Sequence, residues 1–424
     1  MPKGNPAAGL EGAVAPKPRD QWPAEPIRRI STVRSEALPN IMWVRVEGES
    51  GAVGLGETLY YPKAVAAYIH GTVAPVLLGQ DAHDIQRLWT LLYRQWCRSG
   101  IGVEARAASA IDVALWDLIG RQSGLPLYQL LGGRSRAYIA AYNSCAGPDY
   151  VRTKAVVGER WLDPQAGSGA GGQFEDLWAA QHDPVRLAQS LLDMGITAMK
   201  VWPFDVYAAV RDGQAISPAE IRAAVEPIRQ IRASLGDDIG IAVELHNLWS
   251  LPAARAIAFA LEPLEPLWLE DPMPTDNLQA IADLSRSTRI PILASETLGP
   301  RFAYRELLQS GAASIIATDS SWVGGVTEAK RVADLASLYR RSFTHHDCSG
   351  PVNLAIGVHL SLHAENGFIQ EIVRAHYYGW YQEVASGLPI LEAGRLSAEP
   401  RPGHGVDLRS EFMGREDTIV ETTA

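Results

Sequence analysis

From about residue 136 onward, short apolar runs rich in β-branched residues alternate with longer segments of helical periodicity. The runs are AYIAAYNSC, ITAMKVW, IGIAVELH, LWLEDP, IPILASET, SIIATDSS, SFTHHD and FIQEI. Eight strands separated by amphipathic helices over roughly 250 residues are the count and length of a parallel α/β barrel, whose reactive groups sit at the C-terminal strand ends. A doubly wound open sheet shares the alternation, but it normally carries a glycine-rich phosphate turn between a strand and its helix, and none of these runs leads directly into one.

The pattern upstream is different. IMWVRVEGESGAVGLGETLYY (41–61) predicts two strands joined by a Gly/Ser turn, and KAVAAYIHGTVAPVLLG and DAHDIQRLWTLLYRQW predict helices, so this part is α+β. In EARAASAIDVALWDLIGRQSGLPLYQLLGG (104–133), Ala108, Ile111, Ala114, Leu115 and Leu118 share one helical face. The helix then breaks at Gly-Leu-Pro and Gly-Gly, and a domain boundary is placed there.

Polar residues close the barrel runs at a regular interval. Glu244, Glu270, Glu296, Asp319, His346 and Glu371 follow one another after 26, 26, 23, 27 and 25 residues. That interval is one strand–helix unit, so each group is expected to project from a different strand into one shared cavity.

Glu244, Glu270 and Glu296 would bring three like charges together, which forces protonation unless a cation is present. Oxygen ligands without cysteine favour Mg²⁺, with Mn²⁺ as an alternative. Structural ion pairs inside the barrel are the competing explanation for each glutamate singly. Asp319 and His346 end consecutive runs, so the carboxylate can fix the imidazole's tautomer and raise its basicity, although the neighbouring His345 leaves the register open by one residue. In ATDSSWVGGVTEA the paired glycines after Asp319 suggest a helix N-terminus suited to an anion. Lys200 ends the second run and can neutralise a carboxylate or act as a base, with Trp202 as a wall at the next same-face position. Glu371 can hydrogen-bond a developing enolate oxygen if protonated, or pair with a basic neighbour.

Composition narrows the partners. Lys and Arg number 38 against 48 Asp and Glu, a net charge of −10, which disfavours nucleic acid and anionic membranes. Cys97, Cys145 and Cys348 are widely spaced and form no CxxC, so neither a disulfide framework nor a zinc cluster is expected, and a cytoplasmic location fits. The Pro-, Ala- and Gly-rich start lacks the apolar core of a signal peptide, and residues 1–26 are read as a flexible extension. ERWLDPQAGSGAGGQFEDLW (159–178) has a glycine-rich middle and is read as a mobile loop over the site or a solvated insertion. Trp202, Trp249, Trp322, Trp380 and Tyr381, just beyond strand ends, are read as lining the mouth or as packing between domains.

These residues together resemble the enolase superfamily, specifically its mandelate racemase-like acid-sugar dehydratase branch, over about 27–390. AASAIDVALWDLIGRQSGLPLYQLLGG is similar to the signature ending the family's capping domain, and WLEDP, ASET, TDSSWVGGVTEA, HDCSGP and FIQE resemble its successive barrel-end motifs. The resemblance implies an N-terminal α+β capping domain (27–135), a modified (β/α)7β TIM-type barrel (136–390) and a C-terminal segment (391–424) returning to the cap. Members of this family commonly form dimers or octamers, so the resemblance also implies a homo-oligomer. In the family's scheme Glu244, Glu270 and Glu296 bind one Mg²⁺, and Asp319 with His346 forms the base pair. Glu371 donates a hydrogen bond on the enolate side, and Lys200 contacts the substrate carboxylate. Two departures stand out: Lys200-Val-Trp202 lacks the second lysine of the racemases' Lys-x-Lys, and Glu244 replaces a common Asp.

The implied reaction removes the proton α to a carboxylate and expels water from an acid sugar, giving a 2-keto-3-deoxy acid. His246, two residues after Glu244 and so expected on the same strand face, is the candidate acid. An epimerase, racemase or cycloisomerase using His246 as second proton carrier is the alternative within enzymes. A catalytically silent, metal-stabilised binding protein is the alternative outside them.

Overall fold

The structure, a computed structural model, describes residues 23–96, 102–152 and 174–424. Most of the proposed N-terminal extension, Cys97 and most of the 159–178 segment therefore lie outside the described residues. The end of that last segment is not loop, because a helix spans Asp176–His182.

Strands β1 (Ile27–Ser35), β2 (Leu38–Gly48) and β3 (Val53–Leu59) form an antiparallel sheet. The β2–β3 pair is the one expected from the alternation, whereas β1 went unread because IRRISTVRS carries arginines at its start and end. The C-terminal strand Thr418–Thr423 joins the sheet beside β1, tying the end of the chain to its beginning. The helix Val103–Ser123 lies so close to this sheet that a Cβ on Gly54 or Gly56 would run into the carbonyls of Ala114 and Ala110. Ala108, Ile111, Ala114, Leu115 and Leu118 are all buried on it, as the periodicity required. The expected helices before it are Pro62–Tyr68, Ala74–Leu77 and Ile85–Trp96.

The eight expected barrel strands are present as β4 (Ile139–Ser144), β5 (Ala198–Val201), β6 (Gly240–Glu244), β7 (Leu269–Glu270), β8 (Ile292–Ala294), β9 (Ile315–Thr318), β10 (Ser342–His345) and β11 (Gly367–Ile372). Each pairs in parallel with its successor, and β11 pairs in parallel with β4, which closes the barrel and excludes the open sheet. Helices such as Pro218–Leu235, Leu251–Leu261 and Gly325–Leu338 connect consecutive strands, and their apolar faces bury Val225, Ile257 and Val332 against the sheet. Closure brings the C-terminal ends of all eight strands around one opening. A short hairpin, Ile390–Glu392 with Arg395–Ser397, adds antiparallel to the start of β4. No helix of the described residues is long and apolar enough to cross a membrane.

Candidate active site

The six periodic residues meet where sequence spacing put them, at the C-terminal strand ends. Glu244 and Glu270 are the last residues of β6 and β7 and face each other in the ladder, while Glu371 lies within β11. Glu296, Asp319 and His346 stand one or two residues beyond β8, β9 and β10, where the backbone leaves the ladder and side chains turn inward.

One carboxylate oxygen from each of Glu244, Glu270 and Glu296 lies within 4.8 Å of the others. Among the described residues, Glu244 Oε2 and Glu296 Oε2 are buried without a hydrogen bond of their own. Glu270 already accepts Lys200 through Oε1 and Trp268 through Oε2, yet three converging hard oxygens, two of them without a hydrogen bond, suit a divalent cation, so the residues present fit such a group. Lys200, 3% exposed and on β5, is the resident counter-charge: its Nζ lies 3.0 Å from Glu244, 2.7 Å from Glu270 and 2.9 Å from Glu371. Burial opposes ionisation of every member, and the outcome differs by neighbour. Lys200 and His246 overcome burial at Glu244 and hold it at about 2, whereas burial and the Glu244 charge push Glu270 up. Glu371 is lowered against burial chiefly by Lys200, so in this arrangement it is an anion and not the neutral donor its enolate-side role calls for.

His346 and His345 separate cleanly. His346 Nδ1 is 2.7 Å from Asp319 Oδ2 and its Nε2 is 3.3 Å from Glu296, so the ring faces the carboxylate cluster. Burial would lower its pKa, but Glu296, Glu371 and Asp319 raise it well above the ordinary histidine value. His345, on β10, points into the barrel wall, where its Nε2 accepts the Ser320 amide and its Nδ1 meets the His346 carbonyl. Burial there drives it down to about 4, which suits a neutral structural imidazole.

His246 reaches the site by a route the strand alternation did not describe. β6 stops at Glu244, and His246 sits in a turn with φ of 47°, its amide donating to Glu244 Oε1 at 2.9 Å. Its position comes from that turn and from Asp205, whose Oδ2 lies 2.6 Å from its Nδ1. Burial is outweighed by Asp205 and Glu244, and the imidazole is raised to about 9. Trp202 stands edge-on to it with ring centroids 5.6 Å apart.

One further expectation needs correction, and a second is decided between its two alternatives. The helix after Asp319 offers no free N-terminus to an anion, because Asp112 accepts the Thr327 amide, Ser109 accepts the Gly324 amide, and Asp112 fills the space beside Gly325. Nor do all five aromatics line the mouth. Trp249, Trp380 and Tyr381 are at most 1% exposed, and Tyr381 hydroxyl donates to Asp347. Of the five, Trp202 and Trp322 stand against the two histidines, Trp322 with its ring centroid 5.4 Å from that of His346.

Several supporting residues carried no sequence signal. Asp319 accepts from Ser321, from Ser349 at 2.6 Å and from the Asn353 side-chain amide at 3.2 Å, and His346, with His345 and Ser321, holds it below the ordinary carboxylate value against burial. Asp205 could have been found only as the next acid after Lys200 in KVWPFD. Asp271, adjacent to Glu270, accepts Ser295 at 2.7 Å and Asn247 at 3.1 Å and so ties the ends of β6, β7 and β8 together.

Known proteins agree with this geometry. The family described as "Enolase C-terminal domain-like" matches residues 183–412, and that described as "Mandelate racemase / muconate lactonizing enzyme, N-terminal domain" matches 17–132. A D-galactonate dehydratase of Ralstonia nicotianae is 31% identical over 390 residues, 90% of this chain and 92% of the relative. One of Variovorax paradoxus is 30% identical over 392 residues, 91% of this chain and 92% of its own. Among solved structures, an enolase protein from Sargasso Sea environmental sequencing superposes with a TM-score of 0.83 at 35% identity, covering 94% of this chain and 99% of that one. An enolase of the mandelate racemase subgroup from Agrobacterium tumefaciens gives 0.82 at 36% identity, covering 94% and 98%. With a closed parallel barrel, a carboxylate triad at its strand ends and both family domains matched, the chain belongs to the enolase superfamily, in its mandelate racemase/muconate lactonizing enzyme group.

Proposed function

We propose that the protein is a Mg²⁺-dependent hydro-lyase that dehydrates an acid sugar to a 2-keto-3-deoxy acid. The observation that carries this is the pair of histidines on either side of the carboxylate triad, each held by its own aspartate: His346 by Asp319 and His246 by Asp205. One such pair removes a proton, and the second provides the acid that a β-hydroxyl needs in order to leave as water. Likeness to D-galactonate dehydratases over nine-tenths of the chain supports the same reaction class, and D-galactonate is the first substrate to test.

A divalent cation held by Glu244, Glu270 and Glu296 would supply positive charge at the substrate carboxylate and so acidify the α-hydrogen. Lys200 binds the same carboxylate and stabilises the charge that develops there. His346, oriented by Asp319 through Nδ1, takes the α-proton at Nε2. Glu371 is positioned by Lys200 and by the Asp347 amide at the enolate side of the site, where its carboxyl would hydrogen-bond the enolate oxygen in the form that has taken a proton from solvent as Lys200 turns to the substrate carboxylate. His246 delivers its proton to the departing hydroxyl while Asp205 holds the ring and Trp202 walls it in. Nothing at residue 202 can act as a second lysine base, which favours elimination over two-base racemisation.

The division into an extension (1–26), a cap (27–135), a barrel (136–390) and a returning segment (391–424) belongs to the same proposal, supported by the pairing of Thr418–Thr423 with β1. So do a cytoplasmic location and a homo-oligomeric state.

The test compares His346→Asn with His246→Asn on a panel of aldonic and aldaric acids in D₂O. The first is expected to abolish α-proton exchange and dehydration by about 10²–10⁴-fold, and the second to spare exchange and block dehydration. Equal loss of both activities in both variants would overturn the division of roles. A product isomeric with its substrate would favour an epimerase or cycloisomerase.

A further inference from the structure

The cap does more than cover the barrel. Trp43 of β2 and Glu57 of β3 oppose each other in the antiparallel ladder, which puts both side chains on one face of the sheet. That face meets the barrel at the N-terminus of the helix Pro351–His363, directly after the loop that carries His346. Glu57 Oε1 accepts the Asn353 amide at 2.9 Å, and its Oε2 accepts the Val352 amide at 3.3 Å and Trp43 Nε1 at 2.8 Å. A carboxylate from one domain thus satisfies the exposed first-turn amides of a helix in the other, where the helix dipole favours negative charge. Burial pushes Glu57 up to about 7, even with the Asn353, Val352 and Trp43 donors pulling it down.

Asn353 passes this contact on. Its Nδ2 donates to Asp319 Oδ2 at 3.2 Å and to the His346 carbonyl at 3.0 Å, while its Oδ1 accepts Ser320 Oγ at 2.8 Å. Both Nδ2 hydrogens are thereby committed, one to each member of the base pair. The backbone end of the same residue is the one seated on Glu57. Gly350 leaves the room for it: its φ of −176° is ordinary extended backbone, yet an added Cβ would run into the Glu57 carboxylate. The next residue of β3 grips the neighbouring loop, since Thr58 Oγ1 donates to the Ser321 carbonyl at 3.0 Å.

We infer that Glu57 is a positioning residue through which the seated cap holds Asn353, and thereby keeps His346 in register with Asp319. The inference rests on the proposed role of that histidine as base. It needs no contact between Glu57 and substrate. A misplacement of about 1 Å in a reacting group can cost about a hundredfold in rate, so a small slip of the helix start suffices.

The experiment uses the full chain with Mg²⁺ and D-galactonate, or whichever panel acid turns over, and compares Glu57→Gln with Gly350→Ala. The second keeps the carboxylate and displaces it, so it carries the test even if the first does not fold. Both are expected to lower kcat by about tenfold or more with KM within about threefold and Mg²⁺ affinity within about twofold. Amide hydrogen exchange over residues 344–356 is expected to quicken in both. Wild-type kcat in either folded variant, or a fall in kcat accompanied by a KM raised well beyond threefold and weakened Mg²⁺ binding, overturns the inference. If wild-type protein dehydrates no acid in the panel, the dehydratase reading fails on its own. Exchange over 344–356 then decides the Glu57 claim: unchanged protection refutes it and faster exchange upholds it.

Discussion

Replacing Lys200 by methionine removes the fixed positive charge inside the barrel and little of the volume. Glu244, Glu270 and Glu371 then lose an ammonium at 3.0, 2.7 and 2.9 Å while staying buried. Breaking a buried ion pair from one side typically costs about 3–5 kcal/mol. The cluster has an escape, which is to take up one more proton, and that sets the scale. Protonating a carboxyl of ordinary pKa about 4.3 costs 1.36 kcal/mol per pH unit above it, or between about 3 and 4 kcal/mol at pH 7 and about 1 kcal/mol at pH 5.

The sign follows from proton counting. The folded variant holds a proton that the unfolded chain releases above about 4.3, so its stability falls as pH rises through the neutral range. Lys200→Met is therefore expected to be less stable than wild type by about 3–4 kcal/mol at pH 7 in EDTA, and by about 1 kcal/mol at pH 5. Saturating Mg²⁺ should stabilise the variant more than the wild type, because the cation no longer competes with an ammonium for the same oxygens. Urea denaturation at both pH values, with and without metal, measures all of these differences. Equal stability of variant and wild type in EDTA at pH 7, or a deficit that does not shrink at pH 5, would refute the assignment of Lys200 as the charge that holds the metal-free site together.

Glu296→Gln should weaken Mg²⁺ binding by at least about tenfold in calorimetry, more than loss of an outer partner would, and an unchanged Kd would remove Glu296 from the ligand set. Asp205→Asn should slow dehydration by about two orders of magnitude while leaving α-proton exchange near wild type; a parallel loss in exchange would deny His246 a separate role. His359 is driven by burial to about 3, with Nδ1 accepting the Tyr128 amide, so its stabilising contribution is complete above about 6.5 and is lost as pH falls toward 3. In His359→Gln the stability gap from wild type should narrow by about 2 kcal/mol between pH 7 and pH 5, as read from urea midpoints.

The barrel was legible because its strands repeat. Each buried run ends at a turn and restarts after one helix, so the period survives even where a strand is as short as Leu269–Glu270. The cap was less legible. Ile27–Ser35 earns its place in the sheet by pairing with residues at both β2 and the far C-terminus, and a long-range pairing leaves no local pattern. The glycine pair after Asp319 misled for a related reason: a helix start is visible in sequence, but the Asp112 that occupies it lies more than two hundred residues away.

The site divides along the same line. Glu244, Glu270, Glu296, Asp319, His346 and Glu371 were found because each rides one strand end and inherits the barrel's period. Their controlling partners lie off that period. His246 owes its place to a turn with positive φ and to Asp205 across from it, and the His346–Asp319 pair to Asn353 and the cap's Glu57. The triad's geometry is set by adjacent strands of one closed sheet, so a shift of the cap leaves it unchanged. The base pair is held through the Asp319 and His346 loops, which the cap grips at Thr58, Ser109, Asp112 and Glu57. It follows that metal binding and proton abstraction respond differently to the cap: a perturbation there should cost turnover while sparing the affinity of the barrel's carboxylate triad for a divalent cation.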